Sequence, residues 1–313
     1  MSETSIQWCD HSINPLRFGK GHYCQKISPG CTNCYASALQ PRFGNQGFGG
    51  TGSVVPHRVN DQRDGGLWLD ESKLQEVLRR KKPTKYFWCD MTDLFGSWVP
   101  DEWIDLCFAV MALTPQHTHQ VLTKRPERML DYSCDFFATR IFLAMEAITP
   151  GWSVKGFGSP EHGRCVPVPI PNVWLGVSVE NQATKARIDV LRQTPAAVRF
   201  LSLEPLLEDL GAMDLTGIDW CIIGGESGRQ ARPMDLAWVR SLIHQCKEAN
   251  CPVFVKQLGA NPVDAEHFEA NAVLFEQQWG FPPTLPECRL KLHDSHGGDM
   301  VEWPNDLRVR EFP

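Results

Sequence analysis

Three cysteines near the amino terminus have a spacing typical of metal ligands. Cys24, Cys31 and Cys34 lie within eleven residues as C-x6-C-x2-C, on a loop that contains glycine and proline. Thiolates at such spacing can converge on one inorganic centre. In a reducing compartment, a metal or cluster is the usual reason for such a group of cysteines. We therefore interpret these three residues as metal ligands.

The number of ligands decides between two kinds of centre. A [4Fe-4S] cluster held by three thiolates leaves one iron open to a cofactor or substrate. A structural zinc ion normally takes four protein ligands, and His22, His11 or Cys9 could supply the fourth. The triplet favours the iron–sulfur cluster because no fourth cysteine follows at close spacing, and the zinc site remains the alternative.

Short apolar runs alternate with segments of helical pattern along the chain, which predicts a parallel sheet covered by helices. Six or seven such units favour an α/β fold with a complete or partial (β/α) barrel. An open doubly wound sheet is the second possibility, although no G-x-G-x-x-G follows an early strand. Predicted strands lie at 86–89, 120–122, 173–177, 198–201, 220–223 and 252–255, with a weaker one at 5–8, and predicted helices at 71–80, 101–113, 181–193 and 236–249.

Each of the six clearer runs ends in ionisable or hydroxyl side chains. The carboxyl ends of barrel strands carry the active site in this fold class, so these side chains predict the rim of one pocket. A single such residue could equally be a helix cap, but six aligned cases favour the pocket. The candidates are Asp90, Thr92, Lys124, Ser178, Glu180, Ser202, Glu204, Glu226 and Lys256.

The remaining segments are interpreted as parts of a single catalytic domain covering residues 1–313. The glycine-rich stretch 44–59 is a candidate loop or lid, and the proline-containing stretch 134–171 a candidate insertion. We expect the segment 288–313 to cap the barrel. Cys107, Cys221 and Cys246 lie singly in apolar stretches, which is typical of core cysteines.

Composition and charge predict a cytoplasmic protein without a membrane segment. Hydrophobic residues make up 42% of the chain and the formal net charge is -6. No apolar run approaches the ~20 residues that cross a bilayer, and the first residues lack the order of a secretory signal. A basic surface for nucleic acid must therefore be local. The oligomeric state is not indicated.

Several long motifs carry a family resemblance that covers nearly the whole chain. They lie at 8–15, 24–36, 122–126, 174–181, 202–206, 224–233, 254–257 and 302–304. In these stretches the chain resembles a phage-associated three-Cys-motif family, known mainly as a domain of unknown function. That family is in turn distantly similar to radical S-adenosylmethionine enzymes. The resemblance implies a radical-SAM-like barrel, with S-adenosylmethionine as the second cofactor and an electron donor as a partner.

The resemblance also implies roles for the rim residues. Asp90 or Thr92 would bind the methionine amino group, and Ser178, Glu180, Ser202 and Glu204 would hydrogen-bond the ribose and the amino group of S-adenosylmethionine. Lys124 suits a carboxylate or phosphate. Glu226 and Lys124 are the catalytic candidates, and the substrate-binding candidates are Arg229, Arg232 and Lys256.

The predicted substrate is a nucleic-acid base or nucleotide, because arginines on a glycine-rich turn suit phosphate. An internal salt bridge of Glu226 with Arg229 or Arg232 is an equally good interpretation. Two other functions stay open, namely a zinc-stabilised nucleic-acid-binding protein without catalysis and an iron–sulfur redox or sensor protein.

Overall fold

Parallel strands alternate with helices along the described chain. The computed structural model describes residues 2–4, 6–43, 66–134, 137–148, 166–264 and 288–313. By their contacts, residues fall into two units. Unit 1 comprises Met1–Ile27, Cys34–Val177 and Arg187–Arg199, and unit 2 comprises Ser28–Asn33, Ser178–Ala186 and Phe200–Pro313.

The strands and helices are numbered in chain order. The strands are β1 (Ser2–Glu3), β2 (His11–Ile13), β3 (Leu16–Phe18), β4 (Leu67–Leu69), β5 (Lys85–Trp88), β6 (Thr118–Thr123), β7 (Val173–Ser178), β8 (Val198–Leu203), β9 (Trp220–Gly224), β10 (Met234–Asp235), β11 (Val253–Gln257) and β12 (Pro262–Val263). The helices are α1 (Tyr35–Leu39), α2 (Glu71–Arg79), α3 (Asp101–Leu113), α4 (Pro126–Tyr132), α5 (Phe137–Ile148), α6 (Ala186–Gln193) and α7 (Leu236–Glu248).

In unit 1, four parallel strands lie side by side in the order β2, β5, β6 and β7, and β1 pairs antiparallel with β2. The register places His11 beside Tyr86 and Gln120 beside Trp174. Helix α3 packs against α2 and α5. The interior positions of β5 are almost wholly buried, as expected for a parallel strand covered on both faces. This arrangement brings the carboxyl ends of β5 and β6 to one edge.

In unit 2, β9 lies between β8 and β11, and all three strands are parallel. Leu201, Cys221 and Val253 occupy equivalent positions across them. Helix α7 connects β10 to β11 and begins at Asp235, whose side chain accepts a hydrogen bond from the Ala237 amide, a typical N-cap. The last residues of the chain lie along β11.

Most of the predicted elements are present. The six clearer strands and the helices α2, α3 and α7 lie within a few residues of their predicted positions. The predicted helix 181–193 is a short 3-10 turn, Gln182–Thr184, followed by α6. The weaker strand at 5–8 is wrong, because Gln7 and Trp8 form a turn between β1 and β2.

The predicted α/β class with parallel strands is confirmed. Within the described residues of each unit, the strand order is open, so neither unit by itself is a closed barrel. Of the predicted insertion, the described part contains α5, which buries Phe137, Ile141 and Met145. The candidate lid at 44–59 and residues 149–165 lie outside the described residues. No described helix is long and apolar enough to span a bilayer.

Candidate functional site

The backbone beside Cys24 is held by residues that follow β5 and β6. The Thr92 hydroxyl donates to the carbonyl oxygen of Tyr23. On the other side of Cys24, the Arg125 guanidinium donates from Nη2 to the carbonyl oxygen of Gln25 at 2.9 Å. Cys24 itself is half-buried. Strand ends that are far apart in sequence therefore fix the position of the first candidate ligand within unit 1.

Asp93 holds Arg125 in that position. Its carboxylate accepts from Arg125 Nη1 at 2.8 Å and from the Thr123 hydroxyl at 2.7 Å. The backbone amide of Lys124, a catalytic candidate, donates to the same carboxylate at 3.1 Å. The Arg125 guanidinium also lies over the Trp98 ring, 4.7 Å from its centroid. Asp93 is buried, so the ion pair is shielded from solvent.

Cys34 precedes α1, and the next residue is fixed at the end of β5. The Tyr35 hydroxyl donates to the Asp90 carbonyl oxygen at 2.7 Å. Asn14 donates from Nδ2 to Asp90 Oδ1 at 2.5 Å, and its Oδ1 accepts from the Met91 amide at 3.0 Å. Burial raises the pKa of Asp90, and hydrogen bonds, chiefly from Asn14, oppose that rise. Asp90, a candidate for binding the cofactor, is thus preorganised.

Cys31 lies in the part of the loop that belongs to unit 2. Ser28 donates from Oγ to Glu180 Oε1 at 2.8 Å, and its Oγ lies 3.7 Å from Cys31 Sγ. Gly30 packs directly on Glu180, because a Cβ at residue 30 would lie 2.6 Å from Glu180 Cγ. Glu180 is fully buried two residues after β7. The close approach explains the need for glycine beside the second candidate ligand.

Asn33 and Arg232 attach the same loop segment to Glu226. Asn33 donates from Nδ2 to Glu226 Oε2 at 2.9 Å, and Arg232 donates from Nη1 to the Pro29 carbonyl oxygen at 3.0 Å. Arg232 and Glu226 form a two-point ion pair, with Nε to Oε2 at 3.0 Å and Nη2 to Oε1 at 2.5 Å. The internal salt bridge left open by the sequence is therefore present with Arg232.

The electrostatics of this pair follow from its geometry. Burial raises the pKa of Glu226, but the hydrogen bonds from Arg232 and Asn33 and the charge of Arg232 outweigh it, so that the pKa lies below its usual value. The hydrogen bond to Glu226 raises the pKa of Arg232. Both groups are therefore ionised near neutral pH. Arg229, on the same turn, is exposed.

A second pair of predicted residues also binds to each other. Lys256 donates from Nζ to Glu204 Oε1 at 2.5 Å, with both side chains mostly buried. Gln257 donates from Nε2 to the same oxygen at 3.4 Å. Ser178 and Ser202, candidates for the cofactor, are buried at the ends of β7 and β8. Two carboxylates near strand ends of unit 2, Glu226 and Glu204, are therefore each paired with a basic side chain.

The structure divides the three predicted metal ligands between the units, with Cys24 and Cys34 in unit 1 and Cys31 in unit 2. The convergence of their sulfur atoms stays a prediction. Sequence reasoning did not select the residues that hold the loop, although all of them except Asp93 lie in motifs of the family resemblance. These are Asn14, Ser28, Asn33, Asp93 and Arg125.

A second group of cysteines was not predicted. Cys221 on β9, Cys246 on α7 and Cys251 before β11 have their sulfur atoms within 4.8 Å of one another. In the described part of the chain, this is the only group of three or more potential metal-ligating His, Cys, Asp or Glu side chains at such distances. All three residues are buried. The interpretation of Cys221 and Cys246 as separate core residues missed this contact.

The fold and these strand-end residues define an α/β protein with parallel strands and polar groups at their carboxyl ends. Residues 3–282 match the model of a family described as "Protein of unknown function (DUF5131)". The chain therefore belongs to this family. No curated protein and no solved structure matches it.

Proposed function

We propose that this chain is an iron–sulfur enzyme of radical S-adenosylmethionine type that acts on a nucleic-acid base or nucleotide. Cys24, Cys31 and Cys34 would bind the cluster. The observation that carries the proposal is that residues within three positions of each cysteine are hydrogen-bonded, through backbone or side chain, to residues at the carboxyl end of a parallel strand. Thr92, Arg125 and Asp90 provide this attachment in unit 1. Glu180 and Glu226 provide it in unit 2. Parallel α/β folds bind cofactors at this edge.

The donor set fits a cluster better than a zinc site that uses His22. Both ring nitrogens of His22 are engaged, since Nδ1 lies 2.9 Å from the Leu16 carbonyl oxygen and Nε2 lies 3.0 Å from Arg17 Nη1. Burial, followed by the charge of Arg17, lowers the pKa of His22 to about 4. A neutral ring that donates from Nδ1 and accepts at Nε2 satisfies both contacts. Metal binding by His22 would cost one of these hydrogen bonds.

The strand-end residues would position the cofactors and keep water out. The bound cluster and S-adenosylmethionine would supply one-electron chemistry that protein side chains lack. Thr92 and Glu180 would hold the cysteine loop, because each already binds a loop residue. Asp90 would accept a hydrogen bond from the methionine amino group, with Asn14 and Tyr35 fixing its carboxyl group.

Basic groups in unit 2 support a phosphate-bearing substrate. Arg229 is exposed on the glycine-rich turn after β9, and Arg232 has about a third of its side chain exposed. Guanidinium groups bind phosphate oxygens in a two-point geometry. Glu226 would orient Arg232 for the substrate. Glu204 would orient Lys256 in the same way through their hydrogen bond. The phage association implied by the resemblance agrees with a nucleotide substrate.

Anoxic purification followed by iron and sulfide analysis tests the proposal. We expect about four irons per chain in the wild type, loss of iron in Cys24→Ala, and full iron in Cys107→Ala, where the cysteine is buried in α3. With dithionite as the electron donor, the loaded wild type should convert S-adenosylmethionine to 5′-deoxyadenosine.

Two results would contradict the proposal at different levels. A colourless protein with stoichiometric zinc that Cys24→Ala removes would replace the cluster with a zinc site. A full cluster without cleavage of S-adenosylmethionine would make the chain a redox or sensor protein.

A further inference from the structure

Cys221, Cys246 and Cys251 form the cysteine cluster of unit 2. Each of the three residues lies in a different element of the fold. Cys221 lies inside β9, beside Val253 of β11. Cys246 lies in the last turn of α7, and Cys251 lies in the connection from α7 to β11. The exposed fractions of the three residues are 0%, 1% and 4%, respectively. Three thiols therefore meet in an interior that water does not reach.

The end of α7 explains how two of these residues meet. The Cys251 amide donates to the Cys246 carbonyl oxygen at 2.9 Å, and the Asn250 amide to the Lys247 carbonyl oxygen at 3.2 Å. Asn250 has a φ of 52°. These are the two hydrogen bonds and the left-handed residue of a Schellman motif, which places the residue after the turn against the last turn of the helix. Asparagine tolerates this conformation better than most residues.

Strand pairing brings in the third sulfur. The Cys221 amide donates to the Pro252 carbonyl oxygen at 3.0 Å, which fixes the register of β9 beside the residue after Cys251. Cys221 Sγ lies 3.8 Å from Cys251 Sγ. A Schellman motif alone calls for an apolar contact between two residues. It does not explain a third thiol in contact with both.

The distances suit one metal ion at the centre of the triangle. With metal–sulfur bonds of about 2.3 Å, a planar three-coordinate site has sulfur atoms about 4.0 Å apart. The measured pair is 3.8 Å apart, and all three sulfurs lie within 4.8 Å of one another. A rearrangement of less than about 1 Å would therefore complete the site.

We propose that the cysteine cluster binds one thiophilic d10 ion of the copper(I) class. Soft thiolate ligands select copper(I), zinc or iron–sulfur centres, and zinc in structural sites is almost always four-coordinate. No fourth Cys, His, Asp or Glu donor joins the group in the described part of the chain. An all-sulfur set of three thus favours copper(I) over zinc. The ion would enter during folding, because the site is closed in the native chain.

The test is metal analysis of protein produced anoxically in medium supplemented with copper or with zinc. We expect about one copper per chain in the wild type, and loss of nearly all of it in Cys246→Ser. Cys107→Ser is the matched control, because Cys107 is also fully buried in a helix, and it should keep the copper. Cys24→Ala should keep it as well, so that this result is independent of the cysteine loop.

A second measurement covers the case in which Cys246→Ser fails to fold. The wild type is unfolded in urea and refolded in three parallel samples. One contains no metal, one contains one equivalent of copper(I), and one contains one equivalent of zinc. Copper should raise Tm by several degrees, since a ligand bound only by the native state stabilises it. Stoichiometric zinc in place of copper, the same copper content in Cys246→Ser and wild type, or no change of Tm with copper would each overturn the proposal.

Discussion

The two cysteine regions of this protein differ in both sequence separation and burial. In the amino-terminal loop, Cys24, Cys31 and Cys34 lie within eleven residues and are partly exposed. In the cysteine cluster of unit 2, the members span thirty-one residues (Cys221 to Cys251) and are buried. An exposed loop can exchange a cofactor or meet a substrate, whereas a closed interior suits a permanent occupant or tight packing. The same residue type therefore supports different chemistry in the two places.

Native-state alkylation gives the largest expected contrast between the two regions. In metal-free protein treated with iodoacetamide, Cys24, Cys31 and Cys34 should react at least about a thousandfold faster than the cysteine cluster. Reaching a buried thiol requires local opening, and each 1.4 kcal/mol of opening free energy lowers the rate about tenfold. Peptide mass spectrometry resolves each site, with Cys107 as a buried reference. Similar alkylation rates in both regions would contradict the proposed difference in the accessibility of their thiols.

Acid should weaken unit 1 more than unit 2. Burial, followed by the charge of His117, lowers the pKa of His119 to about 3. Its Nδ1 accepts from the Trp88 indole at 3.0 Å, which requires a neutral ring. The unfolded chain binds this proton near pH 6.5, so the stability contribution falls as pH drops from 6.5 towards 3. We expect a loss of about 2 to 3 kcal/mol by pH 4.5.

Hydrogen exchange at pH 7 and pH 4.5 measures this difference, with rates corrected for intrinsic exchange. Amides of β5 and β6 should lose protection, while those of β9 and β11 should change less. The described histidines of unit 2 are exposed, namely His244, His293 and His296. His119→Gln should reduce the response of unit 1 and leave the part that comes from His22, whose pKa is also lowered, and His244→Gln should leave the response unchanged. An equal acid response in both units would contradict the assignment to His119.

Removing the charge of Glu226 should give the smallest of the three effects. Glu226→Gln breaks the buried ion pair with Arg232, and we expect a loss of about 1 to 3 kcal/mol, reduced by the partial exposure of Arg232. Because Asn33 and Arg232 also attach the loop, alkylation of Cys31 should become several-fold faster. Urea unfolding and alkylation measure the two outcomes.

The matched control is Asp189→Asn, which breaks a surface pair with Arg192 in α6. The Asp189 side chain is 72% exposed, so stability should change by less than about 0.5 kcal/mol. Equal losses in the two variants, or an unchanged rate at Cys31, would show that Glu226 does not hold the loop.

The sequence alone predicted the features that are set by residues close together in the chain, namely secondary structure and cysteine spacing. The alternation of apolar runs and helical segments identified six parallel strands, the helices α2, α3 and α7, and part of α6, because hydrophobic periodicity is a local property. The spacing of Cys24, Cys31 and Cys34 identified a candidate metal loop for the same reason. The short strands β1 and β2 were missed, because two or three residues carry too little pattern.

Only the tertiary structure decided which polar groups bind each other. Asp93 and Arg125 are 32 residues apart, and Asn33 and Glu226 are 193 apart, so no local pattern could pair them. The cysteine cluster likewise depends on strand register and on the turn after α7, which place Cys221 against two residues of another element. Residue types are local information, whereas contacts at strand ends and in the core arise only when the whole sheet has formed.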